Sequence, residues 1–339
     1  MTKVVLDAVG GDHAPGEAIA GVAMAVQRGF VKPDQVLLTG PRDQVLQALR
    51  KEGLGADKFV VHDAPDLLSD EDTPTDAMRK KPQNSIAVGI QLVKDGHAGA
   101  FVSAGSTGIV VAGATLGLRC LKGIRRPAIG AMIHGEKQPF LVLDVGANPQ
   151  PKAHHLAQYA LMGAAYYSGT FGIQNPRVGI LNIGSEELKG NTLVREARTL
   201  MKQLPINFHG NVEGGDIFSG DCHVVVTDGF TGNVLLKVSE GVAEYMLRMM
   251  FGLMKHAGVQ GLQIKKVQDE VMPRVDFSEY GGALLLGVEG TVTICHGRSR
   301  APAFANAIHF ACKAIDAEVN DHIVQAARAA AVSTSGPKA

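Results

Sequence analysis

KVVLDAVGGDHAP, residues 3–15, carries an apolar run of strand length that halts at Asp7 and passes through two glycines into a stretch with helical spacing. Four later segments repeat the design: AFVSAGSTG (100–108), FLVLDVGANPQP (140–151), VGILNIGSEELKGN (178–191) and VVVTDGFTGN (224–233). Strands that feed helices directly predict parallel β-α units and hence an α/β fold. In open α/β sheets ligands bind outside the carboxyl ends of the strands, so all five polar clusters are expected to build one site.

The clusters share a chemistry. They are rich in Gly, Ser, Thr and Asn and nearly free of bulky side chains, which lets backbone N–H groups at helix N-termini face one bound group. Orphan amides and the helix dipole both favour an anion, and phosphate is the first candidate. On that reading the binders are Gly10, Gly11, Asp12, Ser103, Gly105, Ser106, Thr107, Gly108, Asn148, Gly184, Asp228, Thr231 and Gly232. The competing account is that Gly and Asn serve only as turn formers between strand and helix.

Outward from the clusters, the alternation continues. Helical patterns run over 14–28, 41–51, 86–94, 152–168, 186–202, 241–255 and 303–328, and strand patterns over 35–40, 58–62, 127–133, 283–288 and 291–295. Residues 67–84 are polar and punctuated by Pro, as a surface loop would be. The expected fold is a three-layer αβα arrangement around a largely parallel central sheet. Residues 1–332 form one large domain, or two subdomains around a cleft, and 333–339 a frayed tail.

Composition fits. The 339 residues are 45% hydrophobic, enough for a large core, and 33 basic residues balance 33 acidic ones, so no net field recruits nucleic acid. Cys120, Cys222, Cys295 and Cys312 form no CxxC pair and read as thiols of a reducing cytosol. Residues 1–15, whose short apolar run is interrupted by Asp7, are not expected to act as a signal peptide, and the uncharged stretch 98–118 holds five glycines and SAGSTG, which suits a buried strand-loop-helix rather than a membrane span. A cytoplasmic protein is expected.

Absences narrow the chemistry. There is no GxxxxGK[ST], GxSxG or HExxH, and no GxGxxG at the first strand. His13, His154, His155, His223 and His296 lie near clusters, but a lone His is more often a hydrogen-bonded structural residue than a base, and none is expected to act as one. Asp7, Asp12, Asp144 and Asp228 end or follow strands, where carboxylates more often cap helices or tie loops than hold a metal. No metal site is expected.

The motifs GGDHAP (10–15), SAGSTG (103–108), LDVGAN (143–148), LNIGSEELKGN (181–191), DGFTGNVLLK (228–237) and GGALLLGVEG followed by HG (281–297) together resemble the bacterial phosphate acyltransferases of phospholipid synthesis. They span nearly the whole chain in order. Val9 stands where that family often has Met, Ser106 where it often has Asn, and the segment 254–278 lacks a long hydrophobic and basic insertion found in some relatives. The resemblance implies transfer of a fatty acyl group from acyl carrier protein to inorganic phosphate, giving acyl phosphate. It also implies a fold similar to phosphate acetyltransferases and isocitrate and isopropylmalate dehydrogenases, in a homodimer without metal or nucleotide cofactor.

The residues suit that reaction. Phosphate is already an anionic nucleophile at neutral pH and a thiol leaves readily, with a pKa of ~8.5, so the protein mainly holds two reactants in line and stabilises an oxyanion. Lys189 and Asn233 are the expected catalytic side chains. Two basic groups, Arg79-Lys80-Lys81 and Lys122 with Arg125-Arg126, are the expected docking sites for an acidic carrier protein. The Met-rich helix 241–255 is expected to pack in the dimer and, through Phe251 beside Arg248 and Lys255, to associate weakly with an anionic membrane. The rival readings are a phosphate acetyltransferase acting on a short acyl-CoA and a non-catalytic membrane adaptor.

Overall fold

The computed structural model describes residues 2–69, 71–275 and 277–334. Eleven strands form one sheet among the described residues. In chain order the elements are β1 (Val4–Asp7), α1 (Gly16–Gln27), β2 (Val36–Gly40), α2 (Arg42–Lys51), β3 (Val60–Asp63), α3 (Pro74–Lys80), α4 (Ser85–Lys94), β4 (Ala100–Ser103), α5 (Thr107–Gly117), β5 (Ala128–Ile133) and β6 (Phe140–Leu143). There follow α6 (Ala153–Phe171), β7 (Arg177–Asn182), α7 (Thr192–Met201), β8 (Asn207–Glu213), β9 (Val224–Val226), α8 (Gly229–His256), α9 (Gly261–Val275), β10 (Ala283–Leu286), β11 (Thr291–Ile294), α10 (Ala301–Asp316) and α11 (Val319–Thr334).

Helices cover both faces, because strand side chains alternate. Along β1, Val5 joins the core beneath α4 and α5, while Val4 and Leu6 join the core beneath α1 and α10. Further along the sheet, Leu141, Leu143, Val178 and Ile180 pack beneath α6 and α7. The three-layer αβα expectation holds.

The strand order is β3-β2-β1-β4-β11-β10-β5-β6-β9-β7-β8, and here one expectation fails. The pairs β11–β10, β10–β5 and β5–β6 are antiparallel and the others parallel. Following the directions across, β6, β9, β7 and β8 run opposite to β1 and β4. The first two polar clusters therefore leave one edge of the sheet and the last three leave the opposite edge. The cause is local: only residues 134–139 separate β5 from β6, too few for the crossover that a parallel pair requires.

Several boundaries also differ. The loop 67–84 contains α3, whose first turn is capped by Thr73 Oγ1 accepting the Asp76 N–H at 3.1 Å. The helix expected from 186 starts at Thr192, because Asn191 Oδ1 accepts the Val194 N–H at 2.9 Å and 186–190 form a turn. The helix expected at 241 begins twelve residues earlier, at Gly229. The closing helix is two helices, divided at Ala317 and at Glu318, which adopts a left-handed φ of 47°. Strand β8 had no counterpart in the sequence reading. The expected tail meets α11, which reaches Thr334, and 335–339 lie outside the described residues.

α6 opens on a titratable contact. His155, buried, accepts the Lys152 N–H on Nδ1 at 2.9 Å, and burial, with His154 and Arg126 nearby, lowers its pKa from 6.5 to about 4. Between those values the unfolded chain binds a proton that the folded chain refuses, so stability falls as pH drops through this window. The thermal midpoint should drop between pH 7 and 5, and less in His155→Asn, whose Oδ1 can still accept the N–H. An equal drop in both proteins would remove His155 as the cause.

Candidate active site

A wide cleft opens among the described residues. It lies on the α5 face of the sheet, over Ile129, Ala131, Ala283 and Ile294, with α5 and α8 among its walls and a volume of about 1350 Å³. Because the sheet reverses direction beneath it, loops from both edges reach it. From the first edge come residues 10–12, 105–108 and, after β11, 296–300; from the opposite edge come Val145, Gly146 and Ala147 and the first turns of α8 with Asn233.

The first edge carries the anion-binding character. Ser106 precedes α5 without a side-chain cap, and among the described residues the amides of Thr107 and Gly108 have no recorded partner. Both residues line the cleft. Gly11, at φ 99°, takes a conformation that L side chains resist, and Asp12 N–H donates to Gly297 O at 2.8 Å, tying the first loop to the one after β11. Beneath both loops lies Asp7, 1% exposed. Its Oδ2 accepts the Ser103 hydroxyl at 2.7 Å, and Ser103 Oγ in turn accepts the Gly105 N–H at 3.0 Å. Ser103, expected to touch substrate, is thus an anchor.

The sequence reading placed no cleft residue in the loop after β11, where it set His296 aside as a base, and none in α8 beyond Asn233. His296 lines the cleft; its Nδ1 accepts the Arg298 N–H at 3.2 Å, and burial, then Lys237, hold its pKa below the ordinary range. Arg298 is exposed and has no described ion pair, whereas Lys237 pairs with Glu240 at 2.8 Å. The sequence signal for this loop was the HG dipeptide at the end of the motif 281–297. The rest of the lining includes the apolar Leu68, Ile86, Val111, Leu236, Leu247 and Met272, with Glu240 and Glu244 of α8 beside them.

The opposite-edge clusters are largely spent on themselves. Asp144, fully buried, receives N–H groups from Ile129, Gly146 and Ala147 on Oδ1 and both the backbone and side-chain N–H of Asn148 on Oδ2, at 2.7–3.1 Å. Asn148 also donates to Pro127 O at 2.7 Å. The nest that the sequence reading offered to phosphate is occupied by the chain's own carboxylate, and Asn148 is a structural member of it. Asp228 caps α8, accepting the Phe230 and Thr231 N–H groups and, at 2.7 Å, the Thr231 hydroxyl. A methyl on Gly232 would collide with the Asp144 carbonyl oxygen, so that glycine serves close packing. None of Asn148, Asp228, Thr231 and Gly232 lines the cleft.

Asn233 does, and with Asp228 as the cap its amide is left without a described partner. Lys189 does not. It sits with Gly184 on the turn after β7, half-exposed and 3.9 Å from Glu186, in a loop braced by Glu187 against Arg198 and Lys202. The loops after β7 and β9 leave the same edge from adjacent parallel strands, which places Lys189 on Asn233's side of the molecule.

The basic groups also divide. Lys80 pairs with Asp76 at 2.9 Å and Lys81 with Asp72 at 2.5 Å, so the first triplet is mostly neutralised. Lys122, Arg125 and Arg126 are exposed with no described ion pair, and Arg125 and Arg126 lie near His154, whose Nε2 is 3.3 Å from Arg125 Nη1.

Unpaired backbone amides at one end of the cleft and apolar side chains along it suit an anion held beside an apolar group. Comparison with known proteins identifies the family. The family model described as "fatty acid synthesis protein" matches residues 2–322. The phosphate acyltransferase of Dictyoglomus turgidum is 41% identical over 328 residues, covering 95% of this chain and 97% of its own, and that of Heliobacterium modesticaldum is 42% identical over 329 residues, covering 95% and 97%. A phosphotransacetylase from Streptococcus pyogenes shares the fold with a TM-score of 0.63 at 19% identity, over 93% of this chain and 94% of that one. A putative 4-hydroxythreonine-4-phosphate dehydrogenase from Salmonella typhimurium does so at 0.56 and 11%, over 92% and 99%. The chain belongs to the phosphate acyltransferase family. Among its described residues no helix is long and apolar enough to cross a membrane.

Proposed function

We propose that the chain moves a long-chain fatty acyl group from acyl carrier protein to inorganic phosphate, making acyl phosphate for phospholipid synthesis. The observation that carries this reading is the two-ended cleft: unpaired amides and Arg298 at one edge, an apolar wall across the sheet, and about 1350 Å³ of room. Typical small-molecule pockets hold roughly 300–1,000 Å³, so an acetyl group would leave most of this one empty. A phosphate oxygen attacks the thioester carbon, the new C–O bond forms, and the C–S bond breaks as the thiolate leaves and takes a proton from solvent. Amides at the start of α5 hold the phosphate and the Asn233 amide donates to the oxyanion. Hydroxylamine trapping of acyl phosphate should succeed with long-chain acyl carrier protein and fail with acetyl-CoA. The reverse would favour a phosphate acetyltransferase, and no phosphate-dependent thiol release from either would leave a non-catalytic adaptor.

Lys189 enters the proposal as a cation carried on an exposed loop that closes on the reacting groups. Lys189→Ala should then lower turnover by roughly 100-fold, the scale of one lost oxyanion partner, without moving the thermal midpoint. Full activity in the folded variant would hand the role to Arg298 or to amides alone.

Carrier-protein docking is assigned to Lys122, Arg125 and Arg126, the less neutralised of the two groups. Reversing Arg125 and Arg126 to Glu should raise KM for acyl carrier protein and flatten its salt dependence while leaving the phosphate KM unchanged. Reversal of Arg79 and Lys80 should do less; an equal effect would return docking to α3.

Homodimer formation rests on α8. Val234, Val238, Val242, Tyr245, Met249 and Leu253 form an exposed stripe at helical spacing on this helix, an area that a second copy would bury. Weak association with anionic membrane is assigned to the end of the same helix, at Phe251, Arg248 and Lys255.

A further inference from the structure

We infer that Asp7 is a proton-linked positioning residue: an anion settling between loops 10–12 and 105–108 drives a solvent proton onto this buried carboxylate. The inference rests on the anion end of the proposed site. Asp7 is 1% exposed, yet it lines the cleft directly under both glycine loops. A methyl on Gly10 would strike its Oδ2 and crowd the Gly105 amide, so the two backbones meet over the carboxylate.

Its recorded partners are neutral donors. The Ser103 hydroxyl binds Oδ2 at 2.7 Å and the Val9 N–H binds Oδ1 at 3.2 Å, while Ser85 and the Gly10 amide also face it. Burial raises the carboxyl's pKa, against the pull of those hydrogen bonds, Ser103 first. No described residue forms an ion pair with it. A buried carboxylate held only by neutral donors repels any anion seated above, and taking up one proton removes that repulsion while the Ser103–Gly105 bridge keeps the loops together. Anion affinity and proton uptake are therefore two readings of one coupling.

Other charged or titratable groups face the same end: Asp12 on its own loop, His296 and Arg298 after β11, and Lys237 and Glu240 on α8. The experiment must separate Asp7 from these. Sulfate serves as the probe, because it stays a dianion from mildly acidic to alkaline pH and any proton taken up belongs to the protein. Calorimetric titration in two buffers of different ionisation enthalpy counts that proton. Wild type should take up as much as about one proton over one window of pH, with sulfate affinity falling by up to about tenfold per pH unit through that window and levelling off above it. His296→Gln should retain the uptake, while Asp7→Asn should bind sulfate with none attributable to this site and with a flatter pH profile.

Uptake that persists in Asp7→Asn, or is absent from wild type, overturns the inference. Should Asp7→Asn fail to fold, Ser103→Ala strips one donor from the carboxylate and should move the uptake to higher pH; an unmoved window overturns it as well. Wild type that fails to bind sulfate while still making acyl phosphate sinks this inference alone. Sulfate binding with uptake in a protein that makes no acyl phosphate sinks the proposed reaction and leaves Asp7's role standing.

Discussion

Turnover in Asn233→Ala is expected to fall by about 100-fold or more, with the thermal midpoint and the phosphate KM nearly unchanged. Asn233 follows the cap of α8 rather than forming it, so its side chain does nothing for the helix start that Asp228 does not already do. Its amide lines the cleft with no described partner, at the edge opposite the amides of α5. A donor that engages only the developing oxyanion contributes to the transition state and little to ground-state binding, which is the pattern of lowered kcat at constant KM. Loss of one such donor costs about 10²–10³ in rate. Asn233→Asp, which keeps the shape and removes the donor, should be equally slow. Rates within threefold of wild type in either folded variant would exclude Asn233 from the chemistry.

Asp144→Ala is expected to cost at least about 3 kcal/mol, seen as a large drop in the urea or thermal midpoint. The fully buried carboxylate collects N–H groups from Ile129, Gly146, Ala147 and Asn148, those of Ile129 and Asn148 buried with it, and each buried donor left unmatched costs ~1–3 kcal/mol. Asp144→Asn should do nearly as badly, since one of its two acceptors becomes an NH₂ facing other donors. The consequence reaches the site. Gly232, in the first turn of α8, packs directly on the Asp144 carbonyl, so a displaced loop shifts Asn233 and activity should fall with stability. An unchanged midpoint would show that solvent replaces the carboxylate at no cost.

The β-α units were legible because their signals are local. Apolar runs such as 4–7, 100–103 and 140–143 end at turn residues within the same few positions, and caps such as Asn84 and Asp228 sit where their helices begin. One misreading was also local. Glu186, Glu187 and Leu188 are good helix formers, yet Asn191 sets the helix start and Glu187 turns back to Arg198 and Lys202. The edge strand β8 was missed because NFHGNVE is interrupted by Gly and polar residues, and its order comes from pairing with β7.

What the sequence determined by itself was the α/β class, the five strand-to-helix clusters and, through its family motifs, membership among phosphate acyltransferases. Only the tertiary structure decided which clusters face the cleft. Strand direction is settled by pairing across the sheet, and the hairpin of β5 and β6 reverses it at the centre, sending the clusters to opposite edges. The fate of each amide was equally non-local. Gly146 and Ala147 look as free as Thr107 and Gly108 in sequence, but the Asp144 carboxylate folds back on the first pair and no described group covers the second. A nest already filled by the chain's own charge has little room for another anion, and that occupancy depends on how the chain packs in three dimensions.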